Sequence, residues 1–219
     1  MHESIDPREE KARKVAELRQ VIARHEWHAA QERCVETGWD SLDALLPGGG
    51  WPRGTLSECV GPPGGGSLTV PLCAAARLTR AGMLVALVDA VGDFHGAGAH
   101  ALGVCPSSLC VVRPPSGRRS VWSAEQLARS GRFSLVLLHR ETPLGTHESR
   151  MLRLAAEVGD AAVVLIGCAG RQPPGIASLR VRVAACAFDA LEVEVVRARG
   201  GAPGGRLSLP WPLGSATAP

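Results

Sequence analysis

Apolar residues recur along this chain first with a helical period and then in short runs. Over residues 7–33, Val15, Leu18, Val21 and Ile22 recur at helical spacing, and charged residues fill the other faces. Asp6 suits an N-cap, Pro7 suits a first turn, and Glu9 and Glu10 complement the helix N-terminus. The stripe is narrow. It fits a helix docked on its own domain and equally a helix docked on a partner chain.

From residue 55 onward, apolar runs alternate with helical patterns. Strands are predicted over 55–60, 83–89, 109–112, 133–139 and 161–168. The run at 83–89 is unbroken, as in a parallel strand covered on both faces. Helices are predicted over 69–80 with Pro71 in the first turn, near 99–103, over 121–130 with Gly131 after it, and over 148–158. Segments 178–187, 191–198 and 206–209 read as closing strands, the last two joined by a glycine-rich turn at 200–205. This order predicts an α/β fold with a mostly parallel central sheet, helices on both faces, an N-terminal helix and C-terminal antiparallel strands. The division expected is a helical segment at 1–36, a core domain at 37–211 and a loose tail at 212–219.

Candidate chemistry centres on the turn between the first strand and its helix. Gly61 and Gly66 supply the G-x-x-x-x-G frame of a phosphate-binding loop, with Gly64 and Gly65 inside it. In a working loop the next two residues are Lys and Ser or Thr. The Lys reaches the β- and γ-phosphates and the hydroxyl holds Mg²⁺. Here those places hold Ser67 and Leu68. The backbone N–H groups from Gly64 to Leu68 can still form an anion nest, or the glycines can persist because the tight turn requires them.

Composition changes this picture little. The net charge is +3, and residues 161–219 hold 6 basic and 3 acidic residues, so the surplus lies near the C-terminal end. That fits a modest anion-facing surface and excludes a histone-like binder. Arg171, Arg180, Arg182, Arg197, Arg199 and Arg206 make up the surplus. They are candidate contacts to a nucleic-acid backbone or to a partner's acidic face, or a solvated sheet face. With five Trp, three Phe and no Tyr, base stacking has few platforms. Seven scattered cysteines without a C-x-x-C pair read as buried, reduced thiols of a cytosolic protein, and no metal site is expected. No apolar run is long enough to span a membrane.

The segment 37–46, T-G-W-D-S-L-D-A-L-L, the following G-G-x-P-x-G, a strand with Glu58, and then the G-P glycine loop together resemble the RecA recombinases. So do Val88-Asp89-Ala90 and Leu127-Ala128-Arg129-Ser130-Gly131 before the next strand. The resemblance implies a RecA-like core over about residues 37–200. It also places Val91 where the family has its catalytic Glu, and His139 where it has the Walker B Asp. With Lys and hydroxyl absent from the loop as well, three elements of phosphoryl transfer are missing together. Each loss of a charge-stabilising group costs ~10²–10³ in rate. No ATPase activity and no cofactor are therefore expected.

A RecA-like domain without an ATPase resembles two bacterial groups of the SOS response, ImuA and the division inhibitor SulA. The motifs fit ImuA better. That resemblance implies a non-catalytic accessory factor in translesion synthesis, with RecA and ImuB as partners and DNA as a further candidate. The alternatives are a SulA-like division inhibitor and a recombinase-type ATPase with a variant site using Asp89, Asp93 and Thr69. The connections matching RecA's DNA-binding loops, 142–146 and 169–177, are short, and the second carries Arg171, Gln172 and two prolines. Filament-style DNA binding is not expected from them.

Overall fold

The structure, a computed structural model, describes residues 34–167, 176–187 and 189–212. The stripe Val15, Leu18, Val21 and Ile22, Arg171 and the tail from 213 lie outside these residues. In chain order the elements are β1 (Cys34–Val35), α1 (Asp40–Leu45), β2 (Trp51–Pro52), β3 (Thr55–Val60), α2 (Thr69–Arg80), β4 (Val85–Asp89), α3 (Gly96–Ala101), β5 (Leu109–Val112), α4 (Gly117–Arg129), β6 (Leu135–His139), α5 (Thr146–Gly159), β7 (Ala162–Ile166), β8 (Leu179–Ala187), β9 (Ala190–Ala198) and β10 (Arg206–Pro210).

Eight strands form one sheet in the order β10-β9-β8-β3-β7-β6-β4-β5. Strands β8, β3, β7, β6, β4 and β5 run parallel to their neighbours, while β9 and β10 fold back antiparallel. Side chains of a strand alternate between faces, and here both faces are dry. Leu135 and Leu137 join Leu42, Val70 and Ala99 on one side. Val136 and Leu138 join Ala124, Leu152 and Ala155 on the other. Helices α1, α2 and α3 thus cover one face, and α4 and α5 the other. This two-sided burial explains the unbroken apolar runs.

Helix α1 comes from the T-G-x-x-x-L-D motif, which acts as a local staple. The Asp43 carboxylate accepts the Thr37 N–H at 2.8 Å, and Thr37 Oγ1 accepts the Trp39 N–H at 3.3 Å. Gly38 turns the chain with φ +102°, and Leu42 drops into the core. Helix α4 begins at Gly117, four residues before the predicted start. Its first turn is Gly-Arg-Arg-Ser, with no apolar residue to mark it, and the Ser120 hydroxyl donates back to the Gly117 carbonyl.

Among the described residues, the buried-thiol expectation holds for Cys59 and Cys73 only, and Cys168 lies outside them. Cys34 and Cys105 are half-buried, and Cys110 and Cys186 are exposed. Cys110 sits on β5, an edge strand of the sheet, which is covered less than the central strands. Burial pushes the Cys73 thiol up to about 12, so it stays protonated at neutral pH. Among the described residues, no helix is long and apolar enough to cross a membrane.

Candidate functional site: the cleft at the glycine loop

The loop between β3 and α2 leaves the middle of the sheet at its carboxyl edge, where open parallel sheets bind ligands. Its glycines are set by close packing. A Cβ on Gly61 would lie 2.2 Å from the Val183 carbonyl oxygen of β8. Gly66 has φ +91°, and a Cβ there would meet Leu191 of β9 at 2.5 Å. Both positions therefore demand glycine whether or not an anion binds. Within the loop, the Gly65 N–H donates to the Pro62 carbonyl at 2.9 Å, so it is turned away from any nest. Ser67 is buried, Leu68 packs against the core, and α2 starts without a side-chain cap.

The loop forms one wall of a cleft of about 370 Å³. The opposite wall comes from the carboxyl ends of β4 and β6, with Val91, Asp93, His139 and Arg140, and Trp211 closes one side. Asp89 and His139 are paired residues at the ends of these two strands. The Asp89 side chain is fully buried, and three donors hold its carboxylate. They are Gly92 N–H to Oδ1 at 2.8 Å, Phe94 N–H to Oδ2 at 3.3 Å and Arg113 Nε to Oδ2 at 3.0 Å. Burial alone would raise this carboxyl, but the donors outweigh it and hold it below its ordinary value of 3.8. Arg140 keeps only 9% of its side chain exposed, donates to Thr142 Oγ1 and lies 4.0 Å from Glu148.

The alternative metal set named from the sequence is Asp89, Asp93 and Thr69. Asp89 and Asp93 do come together, and Thr69 lines the same cleft. The residue completing the group is His139, whose Nδ1 lies 3.2 Å from Asp93 and 3.8 Å from Asp89. Sequence reasoning missed His139 as a partner of these acids, and missed Arg113, Arg140 and Trp211 altogether. The available signal was that two buried strands end in Asp89 and His139, and parallel strand ends gather at one edge.

A family model described as the RecA N-terminal domain matches residues 18–165. The chain belongs to this RecA family. Over 133 residues it is 36% identical to protein RecA of Chlorobaculum parvum, covering 61% of this chain and 37% of that protein. Over 135 residues it is 36% identical to protein RecA of Salinispora arenicola, covering 62% and 38%. Protein RecA of Mycobacteroides abscessus is 35% identical over 131 residues, covering 60% and 37%. The chain spans a little over a third of the length of these RecA relatives.

The arginine series of this RecA-like chain is a mixed-charge face. Arg180 pairs with the buried Glu58 on the neighbouring strand β3. Arg182 and Arg206 both pair with Glu194, each at 2.8 Å. The Arg206 hydrogen bond and charge, helped by Arg182, hold the Glu194 carboxyl below its ordinary range. Arg197 lies opposite Arg180 across β8 and β9, and Arg199 lies past the end of β9. The candidate arginine contacts are thus neutralised in part by Glu58 and Glu194, two acids on neighbouring strands that sequence spacing did not place beside them.

Proposed function

We propose that this chain is a non-catalytic accessory factor of SOS-induced translesion DNA synthesis, of the ImuA kind. In this reading it binds RecA and ImuB and shifts the balance between recombination and mutagenic repair. The observation that carries it is the chemistry around the cleft. Ser67 and Leu68 stand in the loop where a RecA-type ATPase needs Lys and a hydroxyl, Val91 in place of the Glu, and His139 in place of the Walker B Asp. All four positions are at or lining the same cleft. Phosphoryl transfer relies on charge neutralisation by Lys and Mg²⁺, and these positions supply neither. The core retained around them is that of a RecA protomer, which supports docking by shape on RecA's own protomer-facing surfaces. The mixed-charge face of β8 and β9 favours a protein partner over a DNA backbone, since ion pairs already occupy much of its positive charge.

The test is co-purification of the full chain with RecA and with ImuB in matched salt, with and without DNA. Capture of both without added DNA is expected. Absence of both would remove the accessory reading.

A second reading is a recombinase-type ATPase with a variant site. The grouping of Asp89 with Asp93 and His139, the latter two lining the loop's cleft, favours it. Single-turnover ATP hydrolysis, with and without single-stranded DNA, separates the two. Turnover that disappears on changing Asp89 would replace the accessory reading with this one.

A further inference from the structure

Three potential ligand atoms converge at the carboxyl ends of β4 and β6. One oxygen each of Asp89 and Asp93 and one nitrogen of His139 all lie within 4.8 Å of one another. Donors bound ~2.1 Å from a single ion sit roughly 3–3.5 Å apart. The His139 Nδ1 distances of 3.2 Å to Asp93 and 3.8 Å to Asp89 are therefore close to what one cation would impose.

A second observation concerns His139 alone. It is 9% exposed, and its Nδ1 is fully screened from solvent, yet that nitrogen has no hydrogen-bond partner. It faces two carboxylate oxygens in a geometry that makes a hydrogen bond to neither. A buried imidazole nitrogen left without a hydrogen bond is costly, and coordination to a cation would remove that cost. Asp89 already has the support typical of a metal ligand. Gly92 N–H takes only one lone pair of Oδ1, and Arg113 and Phe94 N–H fix Oδ2. Asp93 keeps 62% of its side chain exposed and gives an ion its way in from the cleft.

We propose that Asp89, Asp93 and His139 form a binding site for one divalent transition-metal cation. One imidazole and two carboxylates suit Mn²⁺ or Zn²⁺ better than Mg²⁺, which prefers oxygen and water ligands. With three protein ligands, further coordination positions stay open toward the glycine loop. The ion would stand across the cleft from Ser67, the loop position that lacks a cationic side chain. The inference holds whether or not the chain hydrolyses ATP and does not rest on the accessory reading.

The test is titration of the full chain with Mn²⁺ alone, followed by electron paramagnetic resonance and calorimetry. Mn²⁺ is the better probe because the exposed thiols of Cys110 and Cys186 hold it poorly, whereas they would take up Zn²⁺ elsewhere. Wild type should bind a single Mn²⁺, and Asp93→Asn and His139→Gln should each weaken it about 10-fold or more. Glu157→Gln, on the exposed side of α5, should bind as wild type. Asp93 is exposed, so Asp93→Asn gives a reading even if His139→Gln does not fold. No uptake by wild type below about 1 mM, or equal uptake by folded Asp93→Asn, would overturn the proposal. The imidazole would then simply sit between two carboxylates.

Discussion

At the scale of single residues, the arginines of the C-terminal strands differ in what surrounds them. Glu58 keeps 4% of its side chain exposed and Arg180 keeps 24%, and the two meet between β3 and β8. A carboxylate there without its guanidinium would be a buried, unpaired charge. Removing one partner of such a pair costs about 3–5 kcal/mol. Arg182 keeps 57% of its side chain exposed, so water screens its pair with Glu194. Arg180→Leu should therefore lower the urea midpoint strongly, while Arg182→Leu leaves it unchanged within error. Adding Glu58→Leu to Arg180→Leu should restore most of the loss, because no charge is then left unpaired. Equal midpoints for the two single variants would show that Glu58 and Arg180 are not a buried pair.

At the scale of elements, the loop between β3 and α2 is held by contacts from strands that follow it in sequence. Gly61 is the sharpest case, because its neighbour is a backbone carbonyl that cannot rotate away. Gly61→Ala should cost about 1–3 kcal/mol by overpacking against β8, with no need for an anion to be present. Gly64 has open space around it but φ +72°, so Gly64→Ala should cost only about 1 kcal/mol of backbone strain. Thermal melts of the two variants check the order, and a reversed order would mean that the loop does not rest on β8.

The same loop shows what the sequence makes legible. The glycine frame, the turn and α2 follow from local spacing alone, and α2 spans the predicted residues 69–80. Strands β4, β6 and β7 were legible because both faces are buried and their positions are apolar up to the terminal Asp89 and His139. The convergence of Asp89 with His139 was not legible. It depends on β4 lying beside β6, and element order along the chain does not fix strand order in the sheet. The Glu58–Arg180 pair was hidden for the same reason, since β3 and β8 are neighbours only in space.

At the scale of the whole molecule, strand β8 and the antiparallel strands β9 and β10 complete the sheet that carries the cleft. Leu209 of β10 is 1% exposed and lies opposite Leu191 of β9, and Leu191 is the residue against which Gly66 packs. Trp211, just past β10, donates its N–H to the Asp189 carbonyl and lines the cleft. Burying one side chain such as Leu209 is worth about 1.5–3 kcal/mol, and β10 also caps the edge of β9. Deleting residues 200–219 should therefore disturb the core. It should expose the edge of β9, free Leu191 and loosen the glycine loop. The expected result is a lower, broader melting transition and concentration-dependent association in sedimentation. Loss of RecA or ImuB capture by that truncation would then report a damaged core and say little about where partners dock. A truncated chain that associates no more than the intact chain and melts with it would show instead that β10 is dispensable, and the deletion would become a fair test of partner binding.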